Sequence, residues 1–62
     1  MLNETEMRMV ASQTFVQAKK RDPEIAERLY NAFMEVLYSE YAPYEEKEFW
    51  LNSLVQYSID GT

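Results

Sequence analysis

The side chains in this sequence that could perform acid–base chemistry are carboxylates spaced three or four residues apart. Glu45 and Glu48 form one such pair, and Glu24 lies close to Glu27 and Arg28. On a helix these spacings bring two side chains to the same face. General acid–base catalysis needs a pKa that is tuned by a pocket, and a chain of 62 residues has little room for one. We therefore expect a protein that is not an enzyme and has no catalytic residue.

Cysteine and histidine are both absent from the sequence. Their absence excludes disulfides, thiol nucleophiles, His-based triads and zinc-finger ligand sets. The Glu-x-x-His pattern of di-iron helical bundles is excluded for the same reason. We expect neither a metal nor a cofactor.

Acidic and aromatic residues are interleaved in the second half of the chain. We define the acidic-aromatic patch as the eight residues Tyr38, Glu40, Tyr41, Tyr44, Glu45, Glu46, Glu48 and Phe49. Such a surface suits a protein partner that presents Arg or Lys, through ion pairing at the rim and cation–π contacts at the centre. The alternative interpretation is a solvated helix face, whose first-turn acids are favoured by the helix dipole.

The charge is unevenly distributed along the chain, which has a net charge of −5. Residues 1–21 hold four cations and two acids, whereas residues 22–62 hold two cations and nine acids. Only Lys19, Lys20 and Arg21 form a basic cluster, and Asp22 and Glu24 follow it directly. Phosphate binding needs a more concentrated basic surface, so we expect no direct contact with nucleic acid. Imitation of a nucleic-acid backbone by the acidic half stays open as an alternative.

Local signals divide the chain into three helices. The predicted helices span about 4–21, 23–41 and 44–59 of a single helical domain, residues 1–62. Asn3 and Glu6 have the spacing of a capping box at the start of the first helix. Asp22 and Pro23 are a typical N-cap and first helical residue for the second helix. Gly61 is a plausible C-cap for the third.

These helices predict an all-α fold. The short connection between helices 1 and 2 favours an antiparallel hairpin, with helix 3 packed across it. Helix 2 has an apolar arc of roughly 200°, twice the width of an ordinary core-facing stripe. The arc contains Ile25, Ala26, Leu29, Tyr30, Ala32, Phe33, Met34, Val36, Leu37 and Tyr41. To be buried, this arc must pack against both other helices, or against one of them and a second copy of the chain.

A homodimer is the expected oligomeric state, since a chain of about 60 residues buries only about 60% of its unfolded surface. The predicted core stripe of helix 1 consists of Met7, Val10, Ala11, Phe15 and Ala18. Leu2, Met9 and Val16 are seven residues apart on the opposite face. They are either singly exposed apolar side chains or a contact surface. Met34, from the wide arc of helix 2, completes the predicted dimer interface.

Phe49 is a large aromatic residue on an otherwise polar face of helix 3. It is either an anchor for a partner, because aromatic residues dominate interface hot spots, or a lid over the turn between helices 2 and 3.

Taken with its small size, the patch predicts a non-enzymatic protein-binding module, a small acidic regulator or inhibitor of a larger protein. Compact acidic modules of this kind occur among regulatory and phage-encoded inhibitors, which is an analogy of size and composition only. The alternatives are a self-associating assembly subunit and a nucleic-acid mimic. We expect a soluble, cytoplasmic protein that does not bind membranes, because no segment resembles a signal peptide or a membrane span.

Overall fold

Three α-helices make up the fold, and the computed structural model describes residues 1–60. Helix α1 spans Glu4–Arg21, α2 spans Pro23–Leu37 and α3 spans Tyr44–Asp60. Residues 1–60 contain no strand, so the predicted all-α class is confirmed. The predicted cap at Gly61 lies outside the described residues.

Helix α1 begins with the predicted capping box. The side chain of Asn3 accepts a hydrogen bond from the backbone N–H of Glu6 at 2.8 Å. The carboxylate of Glu6 accepts one from the backbone N–H of Asn3 at 2.9 Å. Two N–H groups that the helix itself cannot satisfy are thereby paired, and the prediction is confirmed.

A single residue, Asp22, ends α1 and begins α2. Its backbone N–H donates to the carbonyl of Ala18 at 3.1 Å, which closes the last turn of α1. Its carboxylate accepts the N–H groups of Glu24 and Ile25 at 3.0 and 3.2 Å, which caps the first turn of α2. The N-cap role predicted for Asp22 is confirmed, with Pro23 as the first helical residue.

Helix α2 ends at Leu37, four residues earlier than the predicted limit at residue 41. The N–H of Ser39 bonds to the carbonyl of Val36 at 3.2 Å, a tighter spacing than in an α-helix. The Ser39 hydroxyl then accepts the N–H of Tyr41 at 3.3 Å. Serine side chains offer the backbone this alternative to helical hydrogen bonds, so α2 ends before the chain reaches Ala42, where the following Pro43 disfavours a helical conformation.

The core is assembled from all three helices. Its buried residues are Met7, Ala11, Ala18, Ala26, Phe33, Leu37, Leu51 and Leu54. Three of these are alanines in α1 and α2, and such small side chains let helices approach closely. The core stripe predicted for helix 1 is confirmed, since Val10 and Phe15 also pack against this cluster. Two residues of the apolar arc predicted for helix 2 are exposed rather than buried, namely Ile25 and Tyr41. Tyr41 also lies beyond the end of α2.

The order of side-chain contacts differs between the two partners of α1. Towards α2, Arg8 reaches Tyr38 and Phe15 stacks on Tyr30 with ring centroids 4.4 Å apart, so contacts run in opposite order along the two helices. Towards α3, the sense is the same: Leu2 bonds to Tyr44, and Arg21 bonds to Tyr57. The beginnings of α1 and α3 therefore lie at one end of the molecule, together with the end of α2.

Candidate functional site

The connection between α2 and α3 carries the most exposed part of the acidic-aromatic patch. Tyr41 has 92% of its surface exposed, and Glu40 beside it is exposed as well. The hydrogen bond from the Tyr41 N–H to Ser39 fixes the backbone of this short segment. The side chain of Tyr41 therefore points into solvent from a short connection that is fixed at both ends by helices.

Two tyrosines of the patch are tied to the start of α1. The hydroxyl of Tyr38 accepts a hydrogen bond from Nη1 of Arg8 at 3.3 Å, and 56% of Tyr38 remains exposed. The hydroxyl of Tyr44 accepts the backbone N–H of Leu2 at 3.2 Å, and its ring packs against the core. Tyr38 therefore retains free area for a partner, whereas Tyr44 mainly joins α3 to α1.

Phe49 lies on the outward face of α3. Its side chain is 61% exposed, and its ring meets the neighbouring Trp50 ring edge-on, with centroids 5.5 Å apart. The helical repeat places Glu45 about 40° from Phe49, one turn earlier on the same face. The structure thus brings an exposed ring and an exposed carboxylate together there. Glu46 and Glu48 are also exposed, on either side of this face.

Acids of α1 extend the negative surface at this end through a contact between residues far apart in the sequence. The bond between Leu2 and Tyr44 brings the first turns of α1 and α3 together, so exposed Glu4 and Glu6 lie at the same end as Glu45. Acids in a first turn are common because the helix dipole favours them. That pattern was visible in the sequence, but the contact that joins the two turns spans 42 positions.

The residues predicted to form a dimer interface line two neighbouring grooves. The larger, of about 430 Å³, lies between α1 and α2, and Met9 and Met34 both line it. The smaller, of about 210 Å³, is lined by residues including Leu2 and again Met9. Val16 lines neither groove; it is exposed on α1, two turns after Met9. The structure therefore brings Leu2, Met9 and Met34 to one continuous surface.

The basic residues at the end of α1 turn onto aromatic rings of their own chain. The ammonium of Lys19 lies 4.7 Å from the centre of the Phe15 ring. The guanidinium of Arg21 lies 4.3 Å from the centre of the Tyr57 ring and donates to the Tyr57 carbonyl at 3.1 Å. Cations held in this way stabilise the fold by cation–π attraction.

Within residues 1–60, no three acidic side chains are grouped so that they could hold a metal ion. None of the three described helices combines the length and apolar character needed to cross a membrane. Comparison of this chain with protein families, curated proteins and solved structures finds no match. The functional argument therefore depends on the surfaces described above.

Proposed function

We propose that this chain is a non-enzymatic protein-binding module, a small acidic regulator or inhibitor that occupies a basic or mixed surface on a larger protein. The observation that supports this proposal is the exposure of three large aromatic side chains, Tyr38, Tyr41 and Phe49, within the most acidic stretch of the chain. Exposed apolar area rimmed by polar residues is typical of an interaction site.

The two kinds of side chain have different roles in this proposal. Tyr41 and Phe49 are the anchors, because an aromatic ring buries a large area while few rotatable bonds are immobilised. The exposed carboxylates, such as Glu45 and Glu46, attract a basic partner and raise the association rate. An Arg or Lys of the partner can pair with a carboxylate and lie over one of the rings.

We also infer two finer features of the architecture. The opposite order of contacts along α1 and α2 supports an antiparallel hairpin with α3 packed across it. A homodimer formed through Leu2, Met9, Val16 and Met34 is supported by the exposure of the first three and by the groove that Met9 shares with Met34. The acidic-aromatic patch is then available for the larger partner.

The test compares two charge-reversed variants that carry the same net charge. In the patch variant, Glu45, Glu46 and Glu48 are each replaced by Lys. In the control variant, the three exposed acids of α2 are replaced by Lys, namely Glu24, Glu27 and Glu35. Tagged wild type and both variants, each verified as folded by circular dichroism, are used to capture protein from extracts of the source cells, and the captured partner is then titrated as a purified protein.

We expect the patch variant and the double variant Tyr41→Ala/Phe49→Ala to lose the partner, while the control variant keeps it. Equal loss in both charge-reversed variants would contradict the proposal, because the binding would then depend on net charge alone. Capture that added DNA abolishes, with a DNA-binding protein as the partner, would favour nucleic-acid mimicry. Self-association that is insensitive to both variants, with no other partner, would favour an assembly subunit.

A further inference from the structure

Phe49 and the acids of the preceding helical turn form the part of the acidic-aromatic patch that lies on α3. A side chain in an α-helix covers the turn that precedes its own Cα, so helical geometry directs the Phe49 ring towards Glu45 and Glu46. Both carboxylates are exposed, and 61% of Phe49 is exposed as well. An aromatic surface and two carboxylates are therefore available to a single side chain of a partner.

At least one face of the Phe49 ring is not covered by its aromatic neighbour. The rings of Phe49 and Trp50 meet at an interplanar angle of 83°, with centroids 5.5 Å apart. In such an edge-on pair, each ring can occupy no more than one face of the other. A free ring face carries the negative side of the aromatic quadrupole, and it therefore attracts cations.

The carboxylates beside Phe49 are not neutralised by cations of their own chain. Within residues 1–60, no Lys or Arg forms an ion pair with Glu45 or Glu46. The one cation of α3 is Lys47, which is half-buried, and the helical repeat places it about 160° away from Glu45. This part of the patch therefore presents uncompensated negative charge next to a free ring, which is complementary to a cationic side chain.

Two cations of this chain show how Arg and Lys differ at an aromatic ring. The guanidinium of Arg21 lies 4.3 Å from the centre of the Tyr57 ring and also donates to the Tyr57 carbonyl at 3.1 Å. The ammonium of Lys19 lies 4.7 Å from the centre of the Phe15 ring, and within residues 1–60 this ammonium has no hydrogen bond or ion pair. A planar guanidinium can stack on a ring while its N–H groups reach an acceptor, whereas an ammonium is a strongly hydrated point charge.

We propose that the protein partner of this chain places an arginine, in preference to a lysine, against Phe49. The guanidinium stacks on the free face of the Phe49 ring and donates to the carboxylate of Glu45 or Glu46. The inference rests on the proposed function and names the partner residue that the site selects. An ammonium must give up one of these two contacts, and one such contact at an exposed site changes a dissociation constant about two- to fivefold.

Three blocked hexapeptides test this selection, composed of arginine, of lysine and of citrulline, which has a planar group like that of arginine but no charge. Trp50 is the single Trp of the chain and contacts Phe49, so its fluorescence reports binding at this position. Each peptide is titrated into the full chain at one ionic strength, because salt screens charge attraction. We expect the arginine peptide to bind at least about twofold more tightly than the lysine peptide, and the citrulline peptide to cause no change.

Two variants show whether the selection arises at Phe49, and circular dichroism verifies that each is folded. Phe49→Leu keeps an apolar side chain but removes the ring, so the arginine and lysine peptides should then bind with equal strength. The double variant Glu45→Gln/Glu46→Gln removes both acceptors and should weaken binding of the arginine peptide. Its matched control on α2, Glu24→Gln/Glu27→Gln, loses the same charge at exposed positions and should weaken that binding less.

Several results would overturn the inference. Equal binding of the arginine and lysine peptides to the wild type would do so, as would a Trp50 fluorescence that neither peptide changes. A preference for arginine that persists in Phe49→Leu would place the contact at another ring. Equal weakening by the two double variants would show that net charge alone attracts the peptides. Each of these results would leave the proposed function to be decided by capture of the protein partner with the charge-reversed variants.

Discussion

Replacement of the half-buried Asp22 by Ala should destabilise the fold more than replacement of any of the exposed acids in residues 1–60. The substitution removes the acceptor for the N–H groups of both Glu24 and Ile25, and it removes a negative charge at the start of α2. Loss of an N-cap costs about 0.5–2 kcal/mol, and we expect about 1.5 kcal/mol because two N–H groups lose their partner. Each kcal/mol corresponds to about 4–8 °C in Tm for a domain of this size, so Tm should fall by about 6–12 °C.

Two further variants separate the geometry of the cap from its charge. Asp22→Asn keeps an oxygen acceptor and loses only the charge, which is worth about 0.3–1 kcal/mol near a helix N-terminus. Asp60→Ala makes the same chemical change at the C-terminal end of α3, where the helix dipole disfavours an acid. We expect Asp60→Ala to be neutral or slightly stabilising.

The assay is thermal and urea unfolding followed by far-ultraviolet circular dichroism. All variants are measured at one protein concentration, because self-association would make Tm depend on concentration. If Asp22→Ala unfolds within about 0.3 kcal/mol of wild type, the reasoning is refuted, since that is below the smallest loss expected for a cap. If Asp22→Asn is as damaging as Asp22→Ala, the charge rather than the cap geometry is responsible.

Two other predictions concern the aromatic residues. Phe33→Ala empties a fully buried position and should lower the free energy of unfolding by about 3–5 kcal/mol, enough to abolish most of the helical signal. Phe49→Ala should leave the domain folded and change the fluorescence of the adjacent Trp50. Comparable unfolding of both variants would contradict the burial of Phe33 and the exposure of Phe49. Arg21→Ala should lower the free energy of unfolding by about 1 kcal/mol through loss of the contacts with Tyr57, and Lys20→Ala, the exposed neighbour, should have little effect.

The starts of α1 and α2 were predictable from the sequence because each depends on hydrogen bonds between residues two or three positions apart. Asn3 with Glu6, and Asp22 with the turn that follows it, are complete within one segment of chain. The core face of α1 was predictable for a similar reason, since helical periodicity alone selects the positions of Met7, Ala11 and Ala18. The end of α2 was misjudged because the side chain of Ser39 competes with the helix locally.

Only the tertiary structure decided which surfaces these helices present together. The first turns of α1 and α3 meet through Leu2 and Tyr44, residues 42 positions apart, and no local pattern encodes that contact. The same holds for the groove that Met9 shares with Met34 and for the contact of Arg21 with Tyr57. Contacts of this kind depend on the packing of all three apolar faces at once. The sequence by itself therefore determined where α1 and α2 begin and which side of α1 is buried, and tertiary packing determined the acidic end and the groove that Met9 shares with Met34.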